Sequence, residues 1–245
     1  MSSNCCLQSF AWTGTPTGRV DTIANLPSYI SGNNKNAAVI LISDVLGWTF
    51  PNIRLLADHY AREADVTVYV PDVFDGEVLP FEPILKGEFD KIDLPAFLER
   101  HSREKREPAI FEYARHLRAE FRKLSAIGFC YGGWAVFRLG AAEHQPPLVD
   151  CISTAHPSLL TKQDIDEVCV PTLILAPEFD PAFGVEMKLY AFESLQKRAI
   201  PLGYHFFPGQ EHGSLVRGDE AKAGERESMA RAKDSAVTWL KQFGK

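Results

Sequence analysis

The sequence predicts an α/β fold in which helices cover both faces of a mostly parallel sheet. Apolar runs of strand length alternate with amphipathic segments of helix length, and this order recurs along the chain. The runs at residues 37–43 and 171–176 are mostly apolar, rather than apolar at every second position. Such runs are typical of strands that are buried on both faces, as in a parallel sheet.

The elements can be assigned in order from apolar periodicity and from the glycines and prolines that separate them. The predicted strands are residues 18–23, 26–30, 37–43, 66–70, 123–127, 149–155, 171–176 and 202–207. The predicted helices are residues 51–64, 95–101, 108–122, 134–142, 162–168, 185–199 and 220–243. The first two strands have the short, turn-rich character of an edge hairpin.

Residues 77–107 break this alternation. They contain prolines at positions 80, 83 and 95, and a run of both charges over residues 99–107. A run of mixed charge is usually a solvated face. We therefore expect a surface excursion that contains one short helix and forms a small cap beside the carboxyl edge of the sheet.

The composition suits one domain that spans residues 1–245. The chain has 245 residues, of which 45% are hydrophobic and 24% are charged, so it can bury a substantial core. No internal repeat, low-complexity tract or linker divides it. The net charge of −6 argues against a nucleic-acid partner, because a phosphate backbone would require a basic surface.

The sequence predicts a cytoplasmic location and no membrane partner. No apolar run approaches the roughly 18 residues that a membrane span needs, and the first residues lack the basic and apolar regions of a secretory signal. The five cysteines, at positions 5, 6, 130, 151 and 169, form no Cys-x-x-Cys motif. Neither a disulfide framework nor a zinc site is indicated. We interpret Cys5 and Cys6 as a reduced, structural or incidental pair, and a redox pair or a metal contact is the alternative.

A glycine-bracketed cysteine is the strongest candidate for a functional residue. The motif Gly-x-Cys-x-Gly-Gly occupies residues 128–133, between the predicted strand 123–127 and the predicted helix 134–142. In α/β-hydrolases the nucleophile lies on such a sharp strand-to-helix turn, where glycines let the backbone close tightly beneath it. The start of the helix would also favour a thiolate. Cys130 is therefore the predicted nucleophile.

A nucleophilic thiol needs a base and a group that orients the base. In α/β-hydrolases both follow the nucleophile, an acid first and then a histidine, on loops after later strands. Asp180 follows the predicted strand 171–176, and His212 follows the predicted strand 202–207. Glu178 is the alternative acid and His205 the alternative base.

The remaining histidines fall into two groups. His59, His101, His116 and His144 lie in helical or charged stretches, and we expect them at the surface. His156 follows a predicted strand, where either lining the pocket or packing at a turn fits the sequence.

Attack on an acyl carbon creates an oxyanion that two backbone N–H groups can bind. One comes from the residue after the nucleophile, which is Tyr131, and the other from the loop after the early central strand, at Val45 or Leu46.

Together these segments resemble the dienelactone hydrolase (carboxymethylenebutenolidase) family, in particular its eukaryotic, fungal-type members. The matching segments are residues 43–47, 128–133, the loop at Asp180, and residues 211–218, in the same order and spacing. The resemblance implies a single-domain α/β-hydrolase fold and a Cys130–His212–Asp180 triad. It also implies that no metal and no organic cofactor takes part.

The resemblance also implies candidate substrate-binding residues. Asp44 occupies the place of an acidic residue that interacts with the resting thiol, and Arg217 matches an arginine that binds the substrate's carboxylate. A second family arginine has no counterpart, because Phe74-Asp-Gly76 stands in its place, and Ser214 stands where relatives often have phenylalanine. These differences argue for a substrate other than dienelactone. Four aromatic residues are candidates for the pocket wall: Trp48, Phe74, Tyr131 and Phe183.

The sequence favours hydrolysis of a small ester or lactone through a cysteine-bound acyl-enzyme, by a monomer or a homodimer. One alternative is acyl transfer, or lactone closure or opening, on a polyketide-type intermediate. The other is a binding protein that has kept the fold without catalysis.

Overall fold

The computed structural model describes residues 10–245, so the Cys5–Cys6 pair lies outside the described residues. Within this range the strands form one eight-stranded sheet in the order β1-β2-β4-β3-β5-β6-β7-β8. Strands β3 to β8 run parallel to one another, and β2 pairs antiparallel with both β1 and β4. The strands are β1 (Arg19–Ile23), β2 (Leu26–Ser31), β3 (Ala37–Ile42), β4 (Thr67–Pro71), β5 (Lys123–Phe129), β6 (Cys151–Ala155), β7 (Thr172–Phe179) and β8 (Leu202–Glu211).

Helices surround this sheet, and the structure is an α/β-hydrolase fold, as the sequence predicts. They are α1 (Pro51–Ala64), α2 (Phe81–Leu85), α3 (Leu94–Arg100), α4 (Arg103–Glu120), α5 (Gly132–Leu139), α6 (Lys162–Glu167), α7 (Val185–Lys197), α8 (Ser214–Arg217) and α9 (Ala223–Phe243). All six residues of β3 are buried, and so are all residues of β5 after the first. The prediction of central strands covered on both faces is therefore confirmed.

Several predicted boundaries differ from the structure by a few residues, as three examples show. Helix α4 begins at Arg103, with Pro108 inside it, instead of beginning at Pro108. Helix α5 ends at Leu139, because Gly140 leaves the helical conformation. Strand β8 continues to Glu211, four residues beyond its predicted end, through a register irregularity in its pairing with β7.

The segment 77–107 is more helical than the sequence predicts. It contains α2, a 3₁₀ turn (Phe89–Lys91) and α3, and the mixed-charge run continues as the first turns of α4. His101 lies between α3 and α4, and its expected surface position is wrong because its ring packs against Phe97 at 4.5 Å and is only 2% exposed. Its Nε2 hydrogen-bonds the carboxylate of Glu77 at 2.7 Å.

The first and last long helices pack against each other on one face of the sheet. Glu63 near the end of α1 forms an ion pair with Lys233 of α9 and accepts a second hydrogen bond from His59 at 2.7 Å. This contact joins residues that are 170 positions apart in the sequence.

Candidate active site

Cys130 occupies the sharp turn between β5 and α5. Its φ of 49° is in the left-handed region, which a residue with a β-carbon rarely adopts. Neighbouring backbone holds it there: its N–H donates to the carbonyl of Ala155 at 3.2 Å, and its carbonyl accepts from Gly133 at 2.9 Å and Ser158 at 2.8 Å. Such strain persists only where the surroundings impose it, and it commonly marks a functional residue.

The glycines of the motif are needed because the backbone segments approach each other closely. A β-carbon on Gly132 would collide with the carbonyl oxygen of Ile42 in β3, and one on Gly128 would collide with the carbonyl oxygen of Gly132. The turn can therefore close beneath Cys130 only with glycine at both positions. This confirms the steric reason for the motif that the sequence suggests.

His212 and Asp180 meet Cys130 at the carboxyl edge of the sheet. The Nε2 atom of His212 lies 3.1 Å from the sulfur of Cys130, and its Nδ1 lies 2.8 Å from an oxygen of Asp180. Asp180 is fixed in turn by the N–H groups of Ala182 at 2.9 Å and Phe183 at 3.0 Å. The structure thus brings the three predicted residues into one hydrogen-bonded chain, and each is at most 5% exposed.

The charges in this chain favour a protonated His212. Burial alone would lower the pKa of His212, but the adjacent Cys130 and Asp180 outweigh it and raise that pKa to about 10. Burial would likewise raise the pKa of Asp180, yet its hydrogen bond and charge interaction with His212 hold it below its ordinary value. The arrangement therefore stabilises an imidazolium between a thiolate and a carboxylate.

The alternative acid and base have other partners. Glu178 accepts a hydrogen bond from the N–H of Gly209 at 2.8 Å, and its side chain is exposed. His205 lies within β8, and its Nδ1 hydrogen-bonds Ser235 of α9 at 2.9 Å. The geometry thus favours Asp180 over Glu178 and His212 over His205.

Asp44 and Arg217 form a buried ion pair beside the sulfur. The Nε atom of Arg217 lies 2.8 Å from Oδ2 of Asp44, and the two side chains are 0% and 4% exposed. Burial is the main cause of a raised pKa for Asp44, Arg217 opposes that rise, and Cys130 adds to it. The sequence assigned the two residues separate contacts, whereas in the structure they contact each other. Their roles toward a substrate stay predictions.

Two of the predicted oxyanion residues, Leu46 and Tyr131, make hydrogen bonds of their own. The N–H of Leu46 already donates to Oδ1 of Asp44 at 2.9 Å. Tyr131 directly follows Cys130, and its hydroxyl donates to the carbonyl of His101 at 2.7 Å, which ties the turn to the segment 77–107.

The aromatic candidates for the pocket wall differ in exposure, and Tyr131 and Phe183 are at most 1% exposed. Phe74 is 1% exposed and packs against the ring of Tyr131 at 4.8 Å. Trp48 is half-buried, with the guanidinium of Arg54 at 4.9 Å from its ring. Whether any of the four contacts a substrate stays a prediction.

Two residues near the site were missed by the sequence reasoning. The hydroxyl of Ser158 lies 3.3 Å from the sulfur of Cys130. The ammonium of Lys188 in α7 donates to the carbonyls of Pro177 and Glu178, just before Asp180. Ser158 could have been noticed, because it follows a predicted strand just as Asp180 and His212 do.

Within residues 10–245, no three His, Cys, Asp or Glu side chains are grouped in a way that could hold a metal ion. In the same part of the chain, no helix combines the length and the apolar character that a membrane crossing requires.

Comparison of the chain with a family model identifies the family to which the site points. The model of the dienelactone hydrolase family matches residues 26–244, nearly the whole chain. The chain belongs to the dienelactone hydrolase family. This confirms the resemblance found in the sequence, and it supports hydrolase activity of the esterase type.

Dienelactone hydrolase relatives cover the chain almost from end to end. The hydrolase tropI of Talaromyces stipitatus is 29% identical over 254 residues, which cover 100% of this chain and 97% of that protein. The carboxymethylenebutenolidase homolog of Mus musculus is 26% identical and covers 90% of this chain and 89% of its own.

Solved structures show the same fold at lower identity. The dienelactone hydrolase of Anabaena variabilis superposes with a TM-score of 0.64 at 16% identity, covering 94% of this chain and 98% of that one. Carboxyl esterase 2 of Tuber melanosporum also gives a TM-score of 0.64, at 14% identity, with 97% and 90% covered.

Proposed function

We propose that this member of the dienelactone hydrolase family hydrolyses a small ester or lactone through an acyl-enzyme on Cys130. The observation that carries the proposal is the unbroken chain from the sulfur of Cys130 through both ring nitrogens of His212 to the carboxylate of Asp180. A nucleophile, a base and an orienting acid are the groups that a catalytic triad uses for covalent acyl transfer.

In the first step the thiolate attacks the substrate's carbonyl carbon. A carbon–sulfur bond forms, and the electrons of the carbonyl π bond move to its oxygen. When the carbonyl re-forms, the bond to the alcohol oxygen breaks, and the leaving oxygen takes the proton from Nε2 of His212. Asp180 keeps the ring aligned and stabilises its protonated form. In a lactone the leaving hydroxyl stays attached to the acyl group.

Backbone N–H groups of Tyr131 and Val45 supply the oxyanion site in this scheme. Val45 is preferred to Leu46 because the N–H of Leu46 is engaged by the carboxylate of Asp44 at 2.9 Å. Each oxyanion donor contributes about 10²–10³ in rate in enzymes where one has been removed.

The second step returns the enzyme to its resting state. His212, now neutral, takes a proton from a water molecule, whose oxygen attacks the acyl carbon. The carbon–sulfur bond breaks, the thiolate is restored beside the imidazolium, and the product leaves as a carboxylic acid.

A small substrate with a negative charge fits the buried ion pair best. A substrate carboxylate would compete with Asp44 for Arg217. Because Arg217 lies at 2.8 Å from Asp44 and is fully buried, only a compact anion could reach it. Trp48 and Phe74 would contact the apolar part of such a substrate.

The test is hydrolysis of a panel of lactones and aryl esters by purified wild type and Cys130→Ala. We expect the variant to lose turnover by at least about 10³-fold, because it lacks the sulfur on which the proposed acyl-enzyme forms. Cys151→Ala is the matched control, since Cys151 is also buried but contacts Ser125 in the adjacent strand. Retention of most activity by Cys130→Ala would contradict the scheme.

Product analysis separates the alternatives. A carboxylic acid product supports hydrolysis, whereas a transferred acyl group or a closed ring would support acyl transfer or lactone closure. Absence of turnover on the whole panel, with wild type that still binds the compounds, would favour the binding-protein alternative.

A further inference from the structure

Residues 155–158, at the end of β6 and just after it, contact Cys130 but have no role in the proposed scheme. Ala155 accepts the hydrogen bond from the N–H of Cys130 at 3.2 Å, and Ser158 donates its own N–H to the carbonyl of Cys130 at 2.8 Å. Pro157, between them, packs so closely on Gly133 that a β-carbon there would collide with it. Residues 155–158 are therefore fixed against the sulfur-bearing turn by backbone contacts.

Ser158 also contacts the reacting atom. Its Oγ lies 3.3 Å from the sulfur of Cys130, close to the 3.1 Å that separates the sulfur from Nε2 of His212. A hydroxyl can donate to a thiolate or accept from a thiol, and its proton rotates to suit. Because a thiolate carries no proton, the hydroxyl must donate in the charged state.

His156, in the same segment, also interacts with the sulfur of Cys130 through its ring. It is fully buried, and its ring centroid lies 5.0 Å from that of His212. Burial lowers the pKa of His156 to about 4, although its interaction with Cys130 acts in the opposite direction. It is therefore neutral near pH 7 and adds no positive charge beside the sulfur.

Two charged groups act on the sulfur in opposite directions. His212, after β8, favours the thiolate, whereas Asp44, after β3, opposes it because Asp44 and Cys130 repel when both are charged. Arg217, in α8, forms the ion pair with Asp44. Asp180 acts through His212. The repulsion from Asp44 is the reason that an additional donor on the sulfur matters.

We propose that Ser158 is a further catalytic residue, whose hydroxyl donates a hydrogen bond to the thiolate of Cys130 and keeps the sulfur nucleophilic at neutral pH. The proposal rests on the proposed function and extends it to the protonation state of the nucleophile. A hydrogen bond to a charged group is stronger than one between neutral groups. Its loss should therefore shift the pH at which Cys130 loses its proton by a measurable amount.

The experiment measures how fast iodoacetamide alkylates Cys130 in the full-length chain between about pH 5 and pH 10. Mass spectrometry of the tryptic peptide 124–138 isolates the signal, because Cys130 is its only cysteine. We expect Ser158→Ala to raise the pH midpoint of alkylation by about one unit, and to slow the reaction about tenfold below that midpoint. Ser158→Thr keeps a hydroxyl and should stay within about 0.3 units of wild type.

Ser153→Ala is the matched control, because it removes a buried hydroxyl from β6 that has no hydrogen-bond partner within the described residues. An unchanged or lowered midpoint in folded Ser158→Ala would overturn the proposal; a lowered one would mean that the hydroxyl accepts from the thiol. If Ser158→Ala does not fold, the proposal depends on Ser158→Thr, and a shift of one pH unit in the alkylation midpoint of that variant overturns it.

Alkylation needs no substrate. The result is therefore independent of whether the chain hydrolyses esters.

Discussion

At the scale of single residues, catalysis in this scheme depends on the carboxylate that holds His212. Asp180→Asn keeps the shape but removes the charge that stabilises the imidazolium, and the amide can present its N–H₂ to Nδ1 and select the wrong tautomer. We expect kcat/KM for an active ester to fall by about 10²–10⁴-fold, measured by steady-state hydrolysis at neutral pH.

Glu178→Gln is the matched control for this change, because Glu178 lies two positions away and bonds Gly209 instead of His212. A larger loss in Glu178→Gln than in Asp180→Asn would assign the orienting role to Glu178.

The functional residues at strand ends could be predicted from the sequence. The side-chain contacts between residues on different loops could not. Cys130, Asp180 and His212 were found because parallel strands carry their loops to the same edge of the sheet. The ion pair of Asp44 with Arg217 was not predicted, because a pairing between two loops depends on side-chain directions that periodicity does not contain. Ser158 was missed for the same reason, since serine after a strand is also a common turn residue.

At the scale of elements, helix α7 positions the loop that carries Asp180. Lys188 is 7% exposed, and its ammonium donates to the carbonyls of Pro177 and Glu178. Lys188→Met would keep the apolar stem but release the end of β7. We expect kcat/KM to fall about tenfold, because a small displacement of Asp180 misaligns His212.

The measurement should be made well below the melting temperature, so that lost global stability does not contribute. Lys197→Met, at an exposed position of the same helix, should retain wild-type activity. Wild-type kcat/KM in Lys188→Met would mean that the loop keeps its geometry without the lysine.

Element types were predicted better than their ends. The sequence predicts a helix over residues 108–122, and proline is common in the first turn of a helix. The helix instead begins five residues earlier, at Arg103, whose guanidinium bonds Asp164 at 2.7 Å. That contact joins α4 to α6, and a sequence pattern contains no information about it.

At the scale of the whole molecule, one ion pair connects the first long helix to the last. Burial alone would raise the pKa of Glu63, but the hydrogen bonds from Lys233 and His59 outweigh it and lower that pKa to about 2. A carboxylate whose pKa is lowered in the folded state stabilises the fold above its unfolded value, and this contribution disappears as pH falls through the folded value. The relevant window is therefore from about pH 4.5 down to about pH 2.

Glu63→Gln should accordingly lower the melting temperature near pH 7 by up to about 3 °C, as expected for a partly exposed pair in a chain of this size. The difference from wild type should shrink as the pH falls through that window, as measured by thermal unfolding at several pH values. Glu82→Gln is the control, because its pair with Lys86 is 79% exposed on the glutamate side and should contribute little. A difference that stays constant down to pH 2 would contradict this account.

The strained turn at Cys130 has an evolutionary consequence. The turn requires a particular backbone conformation and small residues beneath it. It does not require that the γ atom of residue 130 be sulfur. Cysteine and serine codons differ by a single nucleotide, so a lineage could exchange sulfur for oxygen in one mutational step while the scaffold stays intact. Selection among descendants would then act on reactivity and on resistance to oxidation, and not on whether the protein folds.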